Sequence, residues 1–208
     1  MQKLLEGIVK FKKNDFEAHK ELFHQLKKAQ KPHTLFITCC DSRIDPNRIT
    51  GTLPGEMFII RNIANIVPPY RVTDEYVATT SAIEYAVQVL EVDNIIVCGH
   101  SNCGGCAAAL SPDEKLKELP NTRKWLELAH PVREQVLQEL GDECHEAIDW
   151  MMEQTNVIEQ LKHLLTFPFI RAKVLNKTLS VSGWYYIIET GEIYIYDKEV
   201  GEFRLANA

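Results

Sequence analysis

No stretch of this 208-residue chain approaches the roughly 20 consecutive apolar residues that a bilayer-spanning helix needs. Its purely apolar stretches are short, such as Ile95-Ile96-Val97-Cys98. Glycine and proline are scarce, at 10 and 9 residues, which excludes collagen-like and low-complexity chains. Basic residues number 23 against 29 acidic ones. The resulting formal charge of −6 argues against a nucleic-acid partner or an anionic membrane surface. The first fifteen residues mix charged and apolar side chains and lack the apolar core of a secretory signal, so a cytoplasmic protein is expected. No repeat or flexible linker divides the chain. At this length, and with 45% hydrophobic residues, it reads as one globular domain with appendages.

Six cysteines are present, at positions 39, 40, 98, 103, 106 and 144. In a long chain without a secretion signal, that clustering points to metal or redox chemistry rather than to disulfides. Around the cysteines, extended and helical patterns alternate. Leu4, Leu5, Ile8 and Val9 form a short amphipathic stretch, and residues 14–30 carry Phe16, Leu22, Phe23 and Leu26 at helical spacing. Pro32 ends that pattern, and residues 34–39 read as a buried strand. A second strand at 57–61 follows the turn signal Pro54-Gly55. Tyr76, Thr80, Ile83, Val87 and Leu90 predict a helix over 73–90. Residues 94–99 are apolar without alternation, as in a parallel strand covered on both faces. Helices are expected over 122–140, 147–165 and 169–175. A β-hairpin is expected from 179–188 and 192–196 about the turn Thr190-Gly191. The alternation predicts an α/β fold: a central, mostly parallel β-sheet with flanking helices, an N-terminal helical arm and a C-terminal antiparallel hairpin.

Sheets of that kind bind ligands beyond the carboxyl ends of their strands. The first strand runs into Cys39-Cys40-Asp41-Ser42-Arg43, and the third into His100-Ser101-Asn102-Cys103-Gly104-Gly105-Cys106. If these strands are neighbours, one crevice collects thiols, an imidazole, a carboxylate and a guanidinium. Two Cys and one His suit Zn²⁺, and three protein ligands leave a fourth position for water, the arrangement of a catalytic site.

Cys39-x-Asp41-x-Arg43 followed by His100-x-x-Cys103-Gly-Gly resembles the signature of the β-class carbonic anhydrases, in particular their plant-type branch. Pro54-Gly-Glu56, the run from Arg61 to Tyr70, Ser81-Ala-Ile-Glu84-Tyr-Ala86, the run from Asn94 to His100, and Gly183-Trp-Tyr-Tyr186 match in order and spacing. The resemblance implies one Zn²⁺ per chain, held by Cys39, His100 and Cys103, with Asp41 as a conditional fourth ligand in a closed form. It implies reversible hydration of CO₂ to bicarbonate and a proton by a zinc-hydroxide mechanism, with Asp41 and Arg43 as a catalytic dyad. Phe58, Ile63 and Tyr186 would line an apolar substrate pocket, and Gln30 would donate an amide hydrogen bond to a substrate oxygen. Gly104 and Gly105 would let a helix start close to the metal, with backbone N–H groups near an anion. Some of these groups would come from a second subunit in a homodimer or dimer of dimers. Residues 1–30 would then be the dimerisation arm, and residues 31–208 the zinc-binding catalytic domain. A second branch of the family carries an inhibitory bicarbonate site built on a Trp, an Arg and a Tyr. Arg61 and Tyr186 match, but Phe36 stands at the Trp position without an indole N–H, so no such site is expected.

Other readings stay open on the residues alone. Hydrolases of carbonyl sulfide or carbon disulfide keep the same ligands and dyad. Cys106 could complete a structural zinc site with Cys39, Cys103 and either His100 or Cys40. Cys103 and Cys106 also form a C-x-x-C pair that could be redox-active. With His100 upstream and Cys39 at a distance, Cys106 is expected to be structural, Cys40 and Cys98 to serve packing, and Cys144 to be an ordinary helix residue.

Overall fold

The structure, a computed structural model, describes residues 1–75, 77–141 and 144–206, and only the backbone of Asp113. Strands β1 (Thr34–Cys39), β2 (Met57–Asn62), β3 (Asn94–His100), β4 (Ser180–Tyr186), β5 (Ile193–Asp197) and β6 (Glu202–Leu205) form one sheet in the order β2-β1-β3-β4-β5-β6. The first four are parallel, and β5 and β6 run antiparallel. The chain is therefore an α/β protein with a mixed sheet. β4 joins the parallel block and also begins the C-terminal hairpin, which β6 extends by a strand that the hydrophobic pattern had not marked.

Helices α1 (Gln2–Phe11) and α2 (Lys20–Leu26) precede the sheet, α3 (Pro46–Thr50) follows β1, and α4 (Ala78–Gln88) leads into β3. Between β3 and β4 lie α5 (Gly104–Leu110), α6 (Pro120–Leu126), α7 (His130–Leu140), α8 (His145–Leu164) and α9 (Pro168–Leu175). One core packs Leu35, Ile37, Ile95 and Val97 of the central strands against Ile83 and Val87 of α4, Val157 and Leu161 of α8, and Ile170 of α9. A second core lies beyond the strand ends. There Cys39, Ala64, Ile66, Cys103, Cys106 and Ala109 meet Leu126, Val132, Val136 and Met152.

Several helices differ from their expected limits for identifiable reasons. The helix expected over 14–30 is divided. Lys12–Phe16 winds as a wider π-helical turn, and His19, at φ −115° and ψ 22°, interrupts the path before α2. Phe11, Phe16 and Phe23 cluster there, with Phe16 and Phe23 stacked at 5.2 Å. The five-residue step from Phe11 to Phe16 suits a widened turn better than a 3.6-residue one. The helix expected over 73–90 starts only at Ala78, because the Thr73 hydroxyl accepts the Glu75 N–H and diverts the backbone. Tyr76 lies outside the described residues. The helix expected over 122–140 breaks into α6 and α7 where Pro131, lacking an N–H, starts a new helix.

α8 lies close against the sheet because the strands beneath it carry glycine. A Cβ at Gly99 would stand 2.6 Å from Val157 Cγ2, and one at Gly183 would stand 2.9 Å from Val157 Cγ1. The β-branched Val157 has little freedom to yield. Gly99→Ala is therefore expected to lower unfolding stability by about 1–3 kcal/mol through overpacking, read as a lower denaturant midpoint at unchanged slope.

Candidate metal centre

Cys39 is the last residue of β1 and His100 the last of β3. The strands pair in parallel with Thr38 opposite Cys98, so both leave the sheet at the same end. Beyond His100 the backbone turns through Asn102, at φ 55°, and enters α5 with Cys103 as its N-cap. The ligand-type atoms of Cys39, His100 and Cys103 lie within 4.8 Å of one another, and all three residues are buried. The two sulfurs are 3.9 Å apart.

The donor set fits a divalent cation. His100 Nδ1 donates to the Ser101 carbonyl at 3.0 Å, which fixes its proton there and leaves Nε2 as a bare acceptor. That Nε2 is buried and has no hydrogen-bond partner among the described residues. The hydrogen bond with Cys103, together with burial, pushes the Cys39 thiol up to about 12. Contact with Cys106 and burial do the same to Cys103, also to about 12. Burial pulls the imidazole of His100 down, but Cys39, the Ser101 carbonyl and Asp41 leave it above the ordinary histidine value. Crowded sulfurs that resist charge and a nitrogen with nothing to bond are what a cation resolves, since it converts thiols to thiolates and takes up the lone pair. Two sulfurs and one nitrogen match Zn²⁺ with one coordination position left over.

Asp41 stands beside this cluster, its Oδ2 4.0 Å from His100 Nε2. Arg43 grips it in a fork: Nε donates to Oδ1 at 2.9 Å and Nη2 to Oδ2 at 2.7 Å, while the Arg43 peptide N–H donates to Oδ1 at 2.9 Å. Those bonds hold the Asp41 carboxyl well below the usual carboxylate range. Arg43 Nη2 also donates to the Asn102 carbonyl at 2.9 Å, tying the β1 loop to the β3 loop. Arg61 donates to the carbonyls of Cys39 and Asp41, at 3.0 and 2.6 Å, and so holds the backbone between them.

The remaining residues singled out by sequence fall in several places. Gly104, exposed, opens α5 beside Cys103, with no atom within 4 Å of where its Cβ would be. Ile63 is partly exposed in the turn after β2; its Cγ2 would lie 3.0 Å from a Cβ at Gly105, so this turn and α5 touch. Tyr186 is in register with His100, and its carbonyl accepts the Ser101 N–H at 2.9 Å. Phe58 is opposite Leu35, at the far end of β1 from Cys39, and Gln30 is exposed beyond that same end. The chain does not itself bring Phe58 and Gln30 to the cluster. The ring beside Phe58 is that of Tyr85, at 6.1 Å, a residue that sequence reasoning did not select. Phe36 is fully buried, edge-on to Trp184 at 6.0 Å. Cys98 and Cys106 are buried, and Cys40 and Cys144 are exposed. Cys106 stands outside the ligand cluster, its sulfur 3.9 Å from Asn156 Nδ2.

Sequence reasoning also missed Glu153, which is only 4% exposed. It accepts the Cys103 N–H at 2.7 Å and the Tyr185 hydroxyl at 2.6 Å. Burial pushes its carboxyl above the ordinary range.

A sequence profile described as carbonic anhydrase matches residues 34–193. The chain belongs to the β-class carbonic anhydrases. The carbonic anhydrase of Helicobacter pylori is 43% identical over 196 residues, covering 93% of this chain and 89% of its own. That of a Synechocystis species is 40% identical over 203 residues, covering 98% and 73%. Among solved β-carbonic anhydrases, CcaA superimposes with a TM-score of 0.95 at 39% identity, across 99% of both chains. One of two tetrameric enzymes from Sordaria macrospora does so with a TM-score of 0.83 at 33% identity, across 93% of this chain and 95% of its own.

Within this family setting, the geometry separates the two partners of the C-x-x-C pair. Cys39→Ala and Cys103→Ala are expected to abolish stoichiometric metal, whereas Cys106→Ala retains it. Elemental analysis of the purified proteins checks this, and metal loss from Cys106→Ala would show a Cys106-containing structural site instead.

Proposed function

We propose that this β-class carbonic anhydrase is a zinc enzyme that interconverts CO₂ and bicarbonate, with Cys39, His100 and Cys103 holding the ion and Asp41 and Arg43 acting as a dyad. The observation that carries the reading is the buried sulfur–sulfur–nitrogen cluster with an ionised carboxylate 4.0 Å from its nitrogen. Zinc held there supplies a Lewis acid that makes a coordinated water far more acidic than bulk water. The rest falls to the chain. Asp41 Oδ2, 4.0 Å from His100 Nε2, stands where it would reach a water held at the cluster. As an acceptor only, its carboxylate takes that water's hydrogen bond and turns a lone pair toward CO₂. Arg43 prevents Asp41 from swinging onto the ion as a fourth ligand, because both carboxylate oxygens are already engaged. Gly104 borders open space beside Cys103, where substrate would approach. Ile63 and Tyr186 supply the apolar and aromatic margins.

We further infer a homo-oligomer built through residues 1–30, with residues 31–208 as the catalytic domain. α1 exposes Leu4, Leu5, Ile8, Val9 and Phe11 and buries none of its residues. The Sordaria macrospora relatives are described as tetrameric. Gln30 and Phe58 sit at the sheet end opposite the cluster, where they serve substrate only across an interface. Tyr85, 45% exposed beside Phe58, belongs to the same surface. No helix of the described residues is long and apolar enough to cross a membrane. A cytoplasmic location is proposed on chemistry: six free cysteines, two of them zinc ligands, suit a reducing compartment.

Asp41→Asn tests the dyad. It keeps the side chain's shape and is expected to keep zinc, while CO₂ hydration falls by about 10²-fold or more, as for loss of a proton-accepting group. Stopped-flow indicator assays with parallel metal analysis measure both. Near-normal turnover in a zinc-loaded variant refutes the role assigned to Asp41.

A further inference from the structure

The buried face of α8 carries polar side chains where an apolar stripe is the rule. Glu153, Asn156 and Gln160 are 4%, 1% and 0% exposed, and steps of three and four residues put them on one face. Each serves a peptide group of a loop flanking the metal centre. Asn156 Nδ2 donates to the Ala64 carbonyl at 2.9 Å, Gln160 Oε1 accepts the Val67 N–H at 2.8 Å, and Glu153 Oε1 accepts the Cys103 N–H at 2.7 Å. These loops leave regular geometry at Ala64, Asn65 and Asn102, whose φ values are 61°, 47° and 55°. Their amides find no ladder or helical partner and must be met from elsewhere.

Cys103 has the most to lose. As the N-cap of α5, its N–H lies ahead of the helical hydrogen-bond pattern, and it is 2% exposed. Glu153 meets it with one oxygen while the other accepts the hydroxyl of Tyr185, which is fully buried on β4. The carboxylate is therefore held from a second side and cannot rotate away. Gly99 and Gly183 allow the helix this close. Three elements, β4, α8 and the start of α5, thus converge on the backbone of one ligand.

We infer that Glu153, braced by Tyr185, is a positioning residue that presets Cys103 for zinc through a hydrogen bond to its peptide N–H. It touches neither substrate nor the ligand sulfur. The inference rests on the zinc reading above. A side chain that can still accept that N–H preserves the effect, so glutamine replaces glutamate and leucine does not.

The test is zinc affinity by chelator competition for wild type, Glu153→Gln, Glu153→Leu and Tyr185→Phe, with cobalt(II) absorption as a report on ligand geometry. Glu153→Leu is expected to bind zinc about 10–100-fold more weakly, the range for loss of an outer-shell partner, with an altered thiolate-to-cobalt band. Glu153→Gln stays close to wild type in both. Glu153→Leu that binds zinc like wild type overturns the inference, and so does Glu153→Gln that falls as far as Glu153→Leu. A lower melting temperature with unchanged affinity and cobalt spectrum also overturns it, since that is what a merely structural residue does. Should Glu153→Leu fail to fold, Tyr185→Phe decides. It removes one brace and keeps the ring, so weakened zinc binding supports the inference and unchanged binding overturns it. Wild type that binds no zinc sinks the zinc reading itself, whereas zinc-binding wild type with indifferent variants sinks only the role of Glu153.

Discussion

Two buried sulfurs 3.9 Å apart, drawn from chain positions 64 residues apart, are the constraint on which the centre depends. Both thiols resist ionisation, Cys39 through its hydrogen bond with Cys103 and burial, Cys103 through Cys106 and burial, and the imidazole nitrogen next to them has no hydrogen-bond partner among the described residues. Packing elsewhere must hold this arrangement together. The parallel pairing of β1 with β3 supplies most of that. Arg61 adds its grip on the Cys39 and Asp41 carbonyls, and the approach of Gly105 to Ala64 leaves room for no side chain larger than hydrogen. A cation held there would turn an unfavourable cluster into a favourable one, and metal binding and local folding would then be two sides of one equilibrium.

Asp41 would compete for that cation if it were free. Its carboxylate is two residues from Cys39 and 4.0 Å from His100 Nε2. The forked bond from Arg43 engages both of its oxygens, and the same guanidinium reaches the Asn102 carbonyl. The arginine thus couples the two loops to the carboxylate.

Much of this was legible in the sequence because it lies where strong periodic signals end. The apolar runs of β1 and β3 mark buried strands, and Cys39 and His100 end them; that the two strands are neighbours, a condition in the sequence reading, is met by their parallel pairing. Helix limits were less legible. The divided arm follows from aromatic stacking among Phe11, Phe16 and Phe23, and the late start of α4 follows from one Thr73 hydroxyl; neither alters hydrophobic periodicity. Glu153, Asn156 and Gln160 were illegible for a different reason. A charged or amide side chain on a helix ordinarily marks its solvent face, and only the fold shows that this face looks inward at irregular backbone. Tyr85 was passed over because its meaning depends on Phe58, which is distant in sequence and adjacent in space.

Irregular backbone is therefore the common thread. Catalytic loops in parallel sheets must leave the strand geometry to converge, and each departure strands an N–H or a carbonyl. In this chain the departure at Ala64 and Asn65 is met by Asn156, and the departure at Asn102 is met by Arg43 and by Glu153 one residue on. The helix that satisfies the loops also packs on Gly99 and Gly183, so its distance from the sheet and the placement of Cys103 are set by the same contacts. The close contacts that set α8 against the sheet thus also place Cys103. In the proposed assembly the opposite sheet end, with Gln30, Phe58 and Tyr85, is the part of the chain that meets a second copy.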